Sequence, residues 1–231
     1  MNLKELLNEF SHLFFPDSCA VCGEKLLASE EGVCLKCIYK LPRTQNFKQP
    51  DNAAEMLMAG RIPFERIASF CAYAKQGAMA KLIQQLKYHH QKEIGDLLGR
   101  IYGKDLVGSD FISGINAIIP VPLHPKKQKQ RGYNQAEMIA RGLSQATSIP
   151  VITGNLIRVV HNPTQTKRTK TQRWENVKNI FDVVNPSALT NRHLLLVDDV
   201  ITTGSTIEAC GVALQKCNPI KISVVTLGEV F

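Results

Sequence analysis

Hydrophobic positions change their period along the chain. Near the start, Leu3, Leu6, Leu7, Phe10, Leu13 and Phe14 recur at helical spacing and predict an amphipathic helix that packs on the domain behind it. From residue 66 onward, strand-like and helix-like stretches alternate. RIASFCAYA (66–74) reads as a strand, and 77–89 and 92–104 read as helices, the first with Met79, Leu82, Ile83 and Leu86 on one face. NAIIPVPL (116–123) is a continuous apolar run ending in proline, and Asn134 followed by Glu137 caps a helix over 135–147. NLIRVV (155–160), HLLLVDDV (193–200) and KISVVTLG (221–228) read as strands, with a helix over 206–217 between the last two. Continuously apolar strands alternating with helices predict an α/β fold, a parallel sheet flanked by helices. In such sheets ligands bind beyond the carboxyl ends of the strands. The stretch LPRTQNFKQPDN (41–52) is polar, holds two prolines and has no period. It reads as a linker and divides the chain into a small module, 1–50, and a larger domain, 51–231.

Composition narrows this picture a little. With 231 residues, 44% hydrophobic and 21% charged, the chain can bury a sizeable core, which excludes disorder as its main state. No run approaches the ~18 apolar residues of a membrane helix. The opening MNLKELLNEFSHLFF lacks a basic flank and a small-residue cleavage site, so a cytoplasmic protein is expected. The net charge of +8 favours phosphate-bearing partners without separating nucleic acid from a small phosphorylated substrate.

Four of the seven cysteines form one pattern: Cys19-x-x-Cys22, eleven residues, then Cys34-x-x-Cys37. Each pair sits on a short turn that can aim two sulfurs at one tetrahedral ion, and Gly23 and Gly32 flank the connection. So short a span cannot build its own core, which makes a structural Zn²⁺ the natural staple; a redox pair is the alternative. Cys71, Cys210 and Cys217 lie in apolar contexts and read as core.

One loop is far more informative than the rest. Leu194, Leu195, Leu196 and Val197 form a buried strand that delivers Asp198 and Asp199 at its carboxyl end. Thr202, Thr203, Gly204, Ser205 and Thr206 follow, and then a helix begins. Gly204 permits a tight turn, and the N–H groups of a helix start beside several hydroxyls suit a phosphate monoester. The two acids cannot serve the phosphate, since like charges repel. They accept hydrogen bonds from hydroxyls and can hold Mg²⁺. Acids beside a phosphate cradle suggest a sugar phosphate.

This segment resembles the phosphoribosyl-pyrophosphate (PRPP) motif of the type I phosphoribosyltransferases. Within that superfamily the chain resembles the ComF family, the competence-associated group that includes GntX-like proteins. The resemblance is carried by the four-cysteine module, by Pro120-VPLHPKKQKQRGYNQAE-Met138, by Asn162-PTQTKRTKTQRWENVKNIF-Asp182 and by the PRPP loop, with LIQQLKYHHQKEIGDLLG (82–99) extending it. It implies that Asp198 and Asp199 fix the ribose, that residues 202–206 hold the 5′-phosphate, and that Mg²⁺ accompanies PRPP. It also implies a pyrophosphate-binding loop after strand 116–123. Here that loop runs into Lys126, Lys127, Lys129 and Arg131, with Arg131 the best candidate for direct contact. The block 161–180 resembles the superfamily's flexible catalytic loop, and its Lys167 and Arg173 are candidates to neutralise departing pyrophosphate.

Two departures from the family pattern stand out. ComF relatives often have an apolar residue where Arg168 stands. Thr202 occupies the position at which 6-oxopurine phosphoribosyltransferases carry an aspartate base. His89, His90 and His124 are candidate bases by residue type alone. Two functions follow: transfer of a phosphoribosyl group from PRPP to an unidentified acceptor, or a non-catalytic competence factor that senses PRPP or grips single-stranded DNA. The basic segments interleave only Tyr133 and Trp174, thin support for DNA stacking.

Overall fold

The computed structural model describes residues 18–159 and 180–230. The helix expected at 3–14 and the basic block expected to close over the site, with Lys167 and Arg173, lie outside the described residues.

Four parallel strands form the main sheet in the order β1 (Arg66–Ala72), β6 (Lys221–Glu229), β5 (His193–Ile201), β2 (Ala117–Pro120). A parallel bridge from Ile118 to Val151 extends the β2 edge. Both faces of the sheet are covered. Along β5, Leu195 and Val197 enter a core shared with α3 (Ala78–Tyr88), α4 (Lys92–Leu106) and α6 (Gln135–Thr147). Leu194 and Leu196 enter a second core shared with α2 (Ala53–Met58) and α7 (Ser205–Leu214). Burial on both faces explains why this strand is an unbroken apolar run rather than an alternating one.

The expected elements form with small shifts at their ends, and three expectations change. NLIRVV was expected as another strand of the parallel sheet. Instead β3 (Leu156–Arg158) pairs antiparallel with β4 (Phe181–Val183) in a separate two-stranded ribbon. Asn155 closes the base of this ribbon, donating to Asn185 O at 3.0 Å and accepting from Asn185 N at 2.7 Å. The basic loop after β2 is a short helix, α5 (Pro125–Arg131). His124 Nδ1 accepts from Lys126 N at its start, and Gly132 ends it at φ 82°, a conformation that favours glycine. Residues 41–49 do not hang free as a linker. Ala72 N donates to Pro42 O, Thr44 N donates to Phe70 O, and Asn46 Oδ1 accepts from Ser69 N, so the segment lines the outer edge of β1. Phe47 is buried beneath it.

The cysteine module begins the described chain and leads into α1 (Leu35–Tyr39). Cys19, Val33, Cys34 and Leu41 join the same core as α3 and α4. Glu31 pairs with Arg100 of α4, and Lys81 of α3 donates to Val21 O at 2.9 Å. Helices α4 and α6 approach closely through glycine. A Cβ on Gly99 would stand 2.3 Å from Ile139 O, and one on Gly142 only 2.1 Å from Asp96 O.

Candidate functional site

Strand β2 stops opposite Val197 of β5, while β5 continues to Ile201 against β6. Asp198 and Asp199 therefore lie beyond the end of β2, at the edge where parallel sheets take ligands. Adjacent strand residues point to opposite faces, and the two acids do so. Asp198 faces the side of α7 and β3, where Arg158 and Cys210 are its electrostatic neighbours. Asp199 faces α3 and α6, where Lys87 Nζ donates to Oδ1 at 2.9 Å and Gln135 Nε2 donates to Oδ2 at 2.8 Å.

Their environments differ accordingly. Asp199 is 5% exposed, with both carboxylate oxygens engaged by protein. Asp198 keeps some contact with solvent, and its Oδ1 accepts from Asp199 N at 2.8 Å. Crowding by protein, then the Asp199 charge, push the Asp198 carboxyl up to about 7, against the pull of that hydrogen bond, Lys87 and Arg158. Such a carboxyl is favoured by hydroxyl donors or a cation placed beside it.

Past Ile201 the chain turns through Gly204 at φ 74° into α7. The first helical bond is Glu208 N to Gly204 O, which leaves the N–H groups of Ser205, Thr206 and Ile207 without intrahelical acceptors. Thr202, Thr203, Ser205 and Thr206 are all exposed around that helix start. Free N–H groups and hydroxyls thus lie together at the start of α7. The close neighbour of Gly204 is a protein segment: a Cβ there would meet Met58 Sδ at 2.1 Å. Arg61 completes this strap, donating to Thr203 O at 2.7 Å and pairing with Glu208 at 3.3 Å. Neither Met58 nor Arg61 was singled out from sequence, because nothing local marks two residues separated from the loop by more than a hundred positions.

The RGYNQ block organises the neighbouring wall. Arg131 donates to Gln135 Oε1, Tyr133 OH donates to Leu86 O, and Asn134 Nδ2 donates to Val121 O at 2.9 Å. Asn134 Oδ1 also caps α6 through Ala136 N. Lys126, Lys127 and Lys129 are exposed, while Arg131 is half-buried with its guanidinium 5.7 Å from the Tyr88 ring centre. Lys87, Tyr88, His90, Lys127, Gln130 and Arg131 line a cavity of about 200 Å³.

At the other end of the fold, the Sγ atoms of Cys19, Cys22, Cys34 and Cys37 all lie within 4.8 Å of one another, with Cys22 and Cys34 at 3.8 Å. Tetrahedral Zn²⁺ with Zn–S of about 2.3 Å requires sulfurs about 3.8 Å apart, so the cluster fits a closed structural zinc site. Burial raises the Cys19 thiol, but N–H groups of Cys34, Cys22 and Val21 outweigh it and bring it to about 6. Burial and the neighbouring sulfurs push Cys37 far up, so a cation is needed before all four can be thiolates. Cys71, Cys210 and Cys217 are buried core residues, as expected.

Residues 130–229 match the family model described as the phosphoribosyl transferase domain. That span runs from the RGYNQ wall through the acidic pair and cradle to the end of β6. The chain is 37% identical to Competence protein F of Haemophilus influenzae over 147 residues, 62% of this chain and 64% of that protein. It is 28% identical to DNA utilization protein YhgH of Escherichia coli strain K12 over 207 residues, 84% of this chain and 89% of that protein. It is 34% identical to Competence protein ComFC of Bacillus subtilis over 111 residues, 48% and 43% of the two chains. The chain thus carries a match to the phosphoribosyl transferase domain and is similar to proteins named Competence protein F, ComFC and YhgH.

Its matched segment therefore spans just under two thirds of Competence protein F and less than half of ComFC. One chain carries a four-cysteine cluster and a parallel sheet whose second half matches the phosphoribosyl transferase domain. Among the described residues no helix is long and apolar enough to cross a membrane.

Proposed function

We propose that this chain binds PRPP with Mg²⁺ and transfers its phosphoribosyl group to a nitrogen acceptor, releasing pyrophosphate, in a cell's handling of DNA. The observation that carries the reading is the continuity of β5, Asp198, the exposed hydroxyl loop and the open N-terminus of α7. One sugar phosphate spans these groups: its ribose hydroxyls donate to Asp198, and its 5′-phosphate accepts from the N–H groups and hydroxyls of residues 202–206. When bound, Mg²⁺ supplies charge neutralisation to the diphosphate. The bond from ribose C1 to the pyrophosphate oxygen breaks with its electron pair leaving on oxygen. The acceptor nitrogen forms the new bond to C1 and gives its proton to solvent. Asp198 orients the ring, and Lys167 and Arg173 supply charge near the leaving group. The relatives' names, Competence protein F and DNA utilization protein YhgH, support the link to DNA handling.

A binding role without turnover is favoured by one observation: Thr202, a hydroxyl rather than a carboxylate, occupies the exposed loop position next to the cradle. Titration calorimetry of Mg²⁺–PRPP into the protein tests the shared part of both readings, with Asp198→Asn as control. Binding by wild type and its loss in the variant support the site. Pyrophosphate release with a panel of nitrogen acceptors then separates transferase from sensor. Absence of PRPP binding by wild type removes both readings. Salt-sensitive, Mg²⁺-independent binding of single-stranded DNA would then replace them.

A further inference from the structure

Residues 58–64 run along α7 as a strap whose hold on the helix is apolar. Besides the Met58 contact at Gly204, a Cβ on Gly211 would meet Ile62 Cδ1 at 1.9 Å. Both ends of the strap are held by β1. Glu55 of α2 accepts from Arg66 Nε at 2.7 Å, and the far end continues directly into that strand. Gly60, at φ 75°, turns the chain between them. Arg61 is therefore delivered to the first turn of α7 on a fixed backbone. Its Nη1 donates to Thr203 O at 2.7 Å and lies 3.3 Å from Glu208 Oε2. An ion pair so open to water contributes little to stability, and the strap is anchored without it.

That one guanidinium acts on the loop in two ways. In a planar trans peptide the C=O and the following N–H point in opposite directions. With Thr203 O held by Arg61, the Gly204 N–H is turned away from the strap. Gly204 is buried, and its N–H has no acceptor among the described residues. A buried N–H in that state is satisfied when a ligand brings an acceptor to it. Glu208 is the acid of the first turn of α7. Its carboxylate, left unpaired, would compete with an incoming anion for the positive end of the helix. Arg61 neutralises it.

We infer that Arg61 is a positioning residue for the phosphate monoester of a sugar phosphate: it aims the Gly204 N–H into the loop of residues 202–206 and cancels the Glu208 charge beside it. The inference rests on the PRPP reading above and adds to it a residue that lies outside the loop and acts without touching the ligand.

The test titrates ribose 5-phosphate, and separately Mg²⁺ with inorganic pyrophosphate, into the full chain by calorimetry. Arg61→Met is expected to weaken ribose 5-phosphate about tenfold and to leave pyrophosphate within about twofold. Adding Glu208→Gln to Arg61→Met should recover about threefold of the loss, because the charge goes while the Thr203 carbonyl stays unheld. In ¹⁵N-labelled wild type, ribose 5-phosphate should move the Gly204 amide resonance, and in Arg61→Met the shift at saturation should be smaller. These two readouts separate positioning from a general folding defect. If Arg61→Met leaves ribose 5-phosphate affinity unchanged, or weakens both probes alike, or is not improved by Glu208→Gln, the role of Arg61 is overturned while PRPP binding by wild type stands. A wild-type chain that binds neither PRPP nor ribose 5-phosphate overturns it together with the reading beneath it.

Discussion

Gly142 of α6 gives the sharpest test of how the fold holds the site. A methyl group there would stand 2.1 Å from Asp96 O and 2.8 Å from Arg100 N, both backbone atoms of α4. A carbon needs about 3.3 Å from a carbonyl oxygen, so Gly142→Ala forces the two helices apart by about 1.2 Å. Rotamer changes cannot relieve a clash between a Cβ and a backbone, which places the cost near the upper end of the ~1–3 kcal/mol typical of overpacking. Alanine returns about 1 kcal/mol through its better helix propensity. The expected net loss is about 2 kcal/mol, read as a lower midpoint in urea unfolding with zinc held constant. The same displacement should weaken Mg²⁺–PRPP binding, because α6 carries Asn134 and Gln135 at its start while α4 follows directly from the α3 end that holds Lys87. If Gly142→Ala instead raises stability by about the propensity gain, the close approach of α4 and α6 is wrong.

Three further outcomes follow from particular residues. Asp198, with its carboxyl near 7, must lose its proton to accept ribose hydroxyls, so apparent PRPP affinity should rise as the pH increases through that value and level off above it. Calorimetry from pH 5.5 to 8.5 checks this (conditions chosen to bracket the value), and Asp198→Asn, corrected for the ligand's own titration, should remove the slope. Tyr102 is fully buried with its hydroxyl lacking a hydrogen-bond partner among the described residues, so Tyr102→Phe should leave stability unchanged or raise it by about 1 kcal/mol in urea unfolding; a marked loss would mean the hydroxyl is satisfied. Reduced protein should carry about one zinc per chain by elemental analysis, and Cys22→Ser should release it and expose amides of residues 18–41 to hydrogen exchange; protein free of zinc and fully protected there would refute the staple.

The legible parts of the fold were those whose information is local. The apolar run of β5 and the acids and hydroxyls after it are contiguous, so strand, turn and following helix could be assigned together. The four cysteines likewise announce themselves through spacing. Helix α5 was misread as a loop because PKKQKQR has no apolar face, yet its boundaries carried signals: proline in the first turn and glycine just past the end. Residues 41–49 were misread for a different reason. Their order comes from backbone hydrogen bonds to β1 and from buried Phe47, and a backbone partner leaves no mark on side-chain pattern. Lys87 and Gln135 were missed as partners of Asp199 because each is a polar residue on a helix, a common pattern whose meaning depends on what the tertiary fold brings opposite. Gln135 did lie in a block noted for resemblance, but only its burial reveals what it does.

Period 2 along a strand has a consequence for how an acidic pair can work. Two adjacent carboxylates at a strand end cannot both face one small ligand unless the strand twists or breaks between them. Here β5 stays paired with β6 through Asp198, Val200 and Ile201, so the alternation persists and the pair divides. One carboxylate meets the side that opens on α7 and its exposed hydroxyls. The other is drawn into the wall formed by α3 and α6, where burial without a partner would be costly and where Lys87 supplies the compensating charge. A parallel sheet flanked on both faces thus gives the two carboxylates of one motif different partners. A substitution at one of them is therefore not expected to reproduce the effect of a substitution at the other.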